Sequence, residues 1–165
     1  MGLFIGGAAV ATALVLVGSL VRAPVPAVAR PWIVGIVALV LLVREAGVLR
    51  FPLPQNGRQV PQFVTRVPFW GSLQFGTEMG TGMRTYSPTG LPHIVALAVL
   101  LLASWPLALA AGLGFGAGRA LMTVGFLLSS DRSDADNAFL HGIARMRWIF
   151  AALIAPALAT VLVLS

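Results

Sequence analysis

The sequence predicts an all-α fold, a polytopic transmembrane helix bundle of about five crossings with a glycine-rich re-entrant or interfacial segment among them. Three observations carry that expectation. The chain of 165 residues is 58% hydrophobic and only 10% charged, with a mean hydropathy of +0.93, far beyond an ordinary water-soluble domain. Its apolar residues gather in long runs, several approaching the about 20 residues that cross a hydrocarbon core. The 11 cationic residues, all arginine, fall mostly between those runs. A net charge of +6 in a soluble protein would point to nucleic acid. Placed between apolar runs, arginines instead set topology and meet lipid headgroups, so the expected surroundings are the bilayer and not a nucleic acid. The chain has no cysteine, which excludes disulfides, thiolate metal sites and cysteine nucleophiles.

The elements follow in order. Residues 3–21 form an uncharged run closed by Arg22. Ala27-Val28-Ala29 has the small residues of a signal-peptide cleavage site, but no basic residue precedes the run, and it exceeds an h-region of about 7–15 residues. A retained first helix is therefore expected. Pro24, Pro26 and Pro31 punctuate the next connection, and Pro31 suits the first turn of a second helix over 32–49. Arg44 and Glu45 lie towards one end of it, within reach of the interface or of a partner group, since a charge at mid-bilayer costs about 2.5–3.5 kcal/mol on insertion scales. Arg50, Arg58 and Arg66 with Pro52, Pro54, Pro61 and Pro68 indicate a solvent-side loop. A third helix over 91–111 is expected to kink or open at Pro106, a glycine-rich turn or packing point follows at Gly112, Gly114, Gly116 and Gly118, and a fourth helix covers 113–128. Between 129 and 144, Ser133 and Asp136 have the spacing of an N-terminal cap, with Asp134 beside them. The alternative, an acidic metal site with His141, matches no calcium-loop spacing, and neither metal nor other cofactor is expected. The fifth helix, 147–164, begins beside Trp148.

The whole chain reads as one integral membrane domain. With five crossings, Arg50, Arg58, Arg66, Arg84, Arg132, Arg145 and Arg147 share the N-terminal side, opposite Arg22 and Arg30. The positive-inside rule then places the N-terminus in the cytoplasm and the C-terminus outside the cell membrane.

The segment 71–86 is the expected site, because irregular glycine-rich backbone survives at membrane depth only where protein or a water-filled cavity surrounds it. Glu78 and Arg84 would lie on different sides of a continuous helix. A break at Gly80-Thr81-Gly82 can bring them together, as an ion pair holding a turn or as a site in which Glu78 meets a proton or cation and Arg84 an anion. The candidate polar site comprises Glu78, Thr81, Arg84, Tyr86, Ser87, His93 and Arg119, although a lone histidine such as His93 is more often a hydrogen-bonded cap or interfacial anchor. No Ser/His/Asp grouping, G-x-G-x-x-G or Walker A pattern is present, so no catalytic residue is assigned and nucleotide binding is unsupported. Gly76 with Gly80, Gly112 with Gly116 and Gly114 with Gly118 have the G-x-x-x-G spacing of close helix packing.

Phe75-Gly76-Thr77-Glu78-Met79-Gly80-Thr81-Gly82, Thr85-Tyr86-Ser87-Pro88 and Gly114-Phe115-Gly116-Ala117-Gly118-Arg119 together resemble the membrane domain of thiol–disulfide electron carriers, the cytochrome c biogenesis and DsbD-type group allied to the methylamine-utilisation membrane proteins. The resemblance covers residues 71–128 and implies a packing scheme around a broken helix. Where that family places a redox cysteine beside proline, this chain has Ser87-Pro88, and a serine hydroxyl cannot take part in thiol exchange. The resemblance therefore implies the packing and not the reaction. Three functional expectations follow. The first is a non-enzymatic accessory or scaffold subunit that packs beside other membrane subunits or forms a homo-oligomer. The second is a small ion-coupled transporter component using Glu78 and Arg84, and the third a cysteine-less relative of the thiol carriers that assists a redox partner.

Overall fold

The computed structural model describes residues 1–53, 69–82 and 89–128, together with 142, 148, 149 and 152. Among the described residues are five α-helices and no strand: α1 (Gly2–Arg22), α2 (Ala29–Glu45), α3 (Trp70–Gly80), α4 (Leu91–Leu102) and α5 (Trp105–Leu128). Of the helix expected over 147–164 only Trp148, Ile149 and Ala152 are described, each helical, and of the polar connection before it only Gly142; the rest of both, with the loop arginines Arg58 and Arg66, lies outside the described residues.

Helix α1 is the hub, packed against α3, α4 and α5, while α2 packs on α4. Its small residues make this possible. A Cβ on Gly6 would stand 2.8 Å from Gly80 C and one on Gly2 2.6 Å from Leu73 O, so backbone meets backbone along the α1–α3 seam. Further along α1, Val15 joins Val99, Ala103 and Ala108 in one buried cluster. A second cluster, Ala38, Leu41, Leu91 and Ile94, joins α2 to α4 and is flanked by Leu53. These contacts fix the directions. Both α3 and α4 run with α1, whereas α2 and α5 run against it; Gly116 of α5 returns to Leu3 and Phe4 near the start of α1.

The expected third helix is corrected here. Instead of continuing to residue 111 with a kink, α4 stops at Leu102, Ala103 is extended (φ −72°, ψ 138°), and the chain reverses into α5. Proline supplies no N–H to continue the preceding ladder, so Pro106 lies in the first turn of a new helix. Gly112, Gly114, Gly116 and Gly118 consequently fall inside one continuous α5 and form no turn. The second helix also begins and ends earlier than expected, at Ala29 and Glu45. Its stop is set by Gly47, whose φ of +84° gives the left-handed residue that closes a Schellman motif. Two of the helices are long and apolar enough to cross a membrane, over Gly2–Arg22 and Trp105–Gly125, and α4 is a shorter apolar helix.

Candidate functional site

The site lies at the end of α3 and the start of α4. Helices α3 and α4 point the same way beside α1, yet α3 ends at Gly80 and α4 begins only at Leu91. A helix presents unpaired carbonyls at its end and unpaired N–H groups at its start. Here each end meets a side chain of complementary charge.

At the end of α3, Thr81 Oγ1 donates to Glu78 O at 2.7 Å and Thr77 Oγ1 to Leu73 O at 2.8 Å. Gly82 then turns the chain with φ +69°, and a Cβ there would stand 3.0 Å from the Phe115 ring. From α5, Arg119 directs Nε and Nη2 at Met79 O, each at 3.4 Å, and its guanidinium lies 5.7 Å from the Phe115 ring centroid. A cation at the negative end of a helix dipole is favourable, most of all out of water. The opposite sign occurs at the start of α4. Glu45, reaching over from the end of α2 with its side chain only 8% exposed, accepts the Gly90 N–H at Oε1 over 2.8 Å and pairs with Arg44 Nη1 at 3.0 Å. Pro92 in the first turn leaves one fewer donor to satisfy.

A third guanidinium works at the far end of the bundle. Arg22, the last residue of α1, donates through Nε to Gly18 O at 3.2 Å and through Nη1 to Ala103 O at 3.0 Å, tying the ends of α1 and α4 together. Arg30 closes the α1 terminus by donating to Arg22 O at 2.8 Å and Val25 O at 3.1 Å.

Of the residues predicted from the sequence, Glu78, Thr81 and Arg119 converge on the end of α3. Glu78 is half-buried and accepts from Gln74 Nε2 at 3.1 Å, one turn back on the same helix. His93 lies in the first turn of α4, where its N–H bonds Gly90 O at 3.0 Å. Arg84, Tyr86 and Ser87 lie outside the described residues, as does Pro88. Among the packing glycines, Gly76 and Gly80 meet Gly2 and Leu3, while Gly112 and Gly116 meet Gly7, Leu3 and Phe4. Gly114 and Gly118 are exposed, and among the described residues a Cβ on either meets nothing within 4 Å.

Sequence reasoning missed two features. The sequence places Glu45 within reach of the interface or of a partner group without naming that partner, which is the Gly90 N–H at the start of α4, 45 residues away. A single carboxylate at the edge of an apolar run was the available signal. The glycines of α1 were the second, since Gly2 and Gly6 carry the same four-residue spacing as Gly76 and Gly80. No group of three or more His, Cys, Asp or Glu that could hold a metal ion occurs among the described residues. No protein-family model, curated protein or solved structure matches the chain.

Proposed function

We propose that the chain is a multi-pass protein of the cell membrane that acts without catalysis, as an accessory or scaffold subunit packing beside other membrane subunits or copies of itself. One observation carries this reading: the apolar helices turn most of their surface outward. Only 28% of the apolar window of α1 and 17% of that of α5 is buried. A soluble core helix of such hydropathy would be mostly enclosed, so lipid or a membrane partner is the natural neighbour. On α5 the outward face includes Gly114, Gly118 and Gly125, where another helix can approach closely. The test is purification of the full chain from native membranes in mild detergent, with stoichiometry by light scattering and mass spectrometry of what accompanies it. A defined partner or a single oligomer is the expected result, and a partner-free monomer in the bilayer would remove the scaffold reading.

A second reading has its own support. Helix ends that meet charged side chains are a recurring part of ion and substrate sites in carriers, and here Arg119 meets the end of α3 and Glu45 the start of α4. Glu78 and Arg84 would then serve an ion-coupled carrier component. In proteoliposomes containing the folded protein, Glu78→Gln and Arg84→Ala should abolish flux of the coupled ion. Undiminished flux in both variants would eliminate this reading.

A further inference from the structure

The α2 terminus carries a second charged feature, joined to the start of α4 through Glu45. Its carbonyls are already satisfied by the chain itself, since Gly47 N–H bonds Arg44 O at 2.9 Å and Val48 N–H bonds Val43 O at 3.3 Å. The nearby arginines are therefore not needed as caps. Arg44 is instead held sideways: Nε donates to Phe51 O at 2.8 Å, Nη1 to Glu45 at 3.0 Å, and the guanidinium stands 5.5 Å from the Phe51 ring centroid. This leaves Nη2 without a protein acceptor among the described residues. Arg50 is fully committed to solvent, exposed and with neither hydrogen bond nor ion pair among the described residues. Both line one open depression of about 460 Å³, with Leu49 and Phe51 on its apolar rim. Glu45 contributes little negative charge outward, because its carboxylate turns inward to Gly90 N–H and is nearly buried.

We infer that Arg50 and the prepositioned Arg44 form a site for a phosphate group, supplied by the headgroup of an anionic phospholipid whose acyl chains lie along the exposed Val48, Leu49 and Phe51. Two guanidinium groups on a shared anion form charge-assisted hydrogen bonds that a zwitterionic headgroup answers less well. Apolar side chains beside the cations favour a lipid over free phosphate. The inference rests on the membrane reading above.

The experiment is native mass spectrometry of the full chain in mild detergent, titrated with phosphatidylglycerol and, separately, with phosphatidylcholine of the same acyl composition. One phosphatidylglycerol per chain should be retained in preference to phosphatidylcholine. Arg50→Gln should weaken that retention about fivefold while leaving phosphatidylcholine unchanged, and Arg50→Lys should restore part of it. Arg50 makes no hydrogen bond or ion pair among the described residues, so an unchanged thermal midpoint will show that the variant is folded. Equal retention of both lipids, or an Arg50→Gln protein that binds as the parent does, overturns the site. Binding of inorganic phosphate with no preference between the lipids would overturn the lipid as its source. A chain that stays monodisperse without detergent would instead remove the membrane reading, a separate failure.

Discussion

At the scale of single residues, the fold depends on the absence of side chains in some places and on one carboxylate in another. Gly6 lies so close to Thr77 and Gly80 that a methyl group would meet main-chain atoms, which cannot swing aside as the tip of a flexible side chain can. Gly6→Ala should therefore lower stability by about 1–3 kcal/mol, the cost of overpacking, despite alanine's better helix propensity. In the unassembled monomer Gly114→Ala is the matched control, in a helix with no described atom within 4 Å of the new methyl, and it should be neutral or stabilising by up to about 1 kcal/mol. Thermal unfolding in detergent measures both, and equal midpoints would show that the α1–α3 seam is looser than its backbone contacts indicate. Glu45 behaves differently, because its role is to accept. Replacement by Leu leaves the Gly90 N–H and Arg44 Nη1 without their acceptor and should cost about 1–3 kcal/mol. Glu45→Gln keeps a carbonyl for Gly90 and should lose less. A glutamine variant as unstable as the leucine one would mean that the charge and not the hydrogen bond holds the start of α4.

At the scale of elements, the connection from α3 to α4 and the reversal between α4 and α5 decide how the bundle closes. A proline inside a continuous helix costs about 3 kcal/mol, whereas one in the first turn costs almost nothing. Pro106→Ala should therefore leave the thermal midpoint nearly unchanged, and a large stabilisation would show Pro106 to be straining a single long helix. Arg119 should hold the end of α3, so Arg119→Met should speed amide exchange at Thr81 and Gly82 while exchange in the middle of α1 is unaffected; uniform change across both would contradict a local clasp. The α4–α5 reversal also shows what the sequence could and could not reveal. The apolar runs located α1, the start of α4 and the end of α5, because long apolar stretches announce themselves locally, but they put the boundary between α4 and α5 near residue 112 instead of at Ala103. The break near Gly80-Thr81-Gly82 was legible for the same local reason, since glycine permits a backbone that other residues resist. Pro106 was ambiguous, because one residue type both kinks helices and opens them, and only the return of α5 along α1 decides between the two. Glu45 was illegible as a cap, since its partner Gly90 lies 45 positions away and no local pattern announces it.

At the scale of the whole molecule, the arrangement has two ends. Arg22 Nη1 meets Ala103 O at 3.0 Å, so the α1–α2 turn and the α4–α5 turn share one end. The start of α1, the exit from α2 beside Gly90 and the start of α3 lie towards the other. The two ends differ in the sequence that attaches to them, for Arg50, Arg58 and Arg66 leave from the α2 exit while Arg22 and Arg30 mark the first turn. If the bundle spans the membrane with its N-terminus inside, the positive-inside rule puts the α2 exit in the cytoplasm and both turns outside. The lack of any cysteine makes this directly measurable, because each single introduced thiol is the only one that a maleimide can modify. Ala27, Ala46 and Ser104 are exposed, so each tolerates the change without disturbing the seams. In sealed cells a membrane-impermeant maleimide should modify Ala27→Cys and Ser104→Cys but reach Ala46→Cys only after permeabilisation. The reverse pattern would invert the orientation and keep the crossings. Modification of all three positions from the same side would mean that neither α2 nor α4 carries the chain across the membrane, and the five-crossing arrangement would fall.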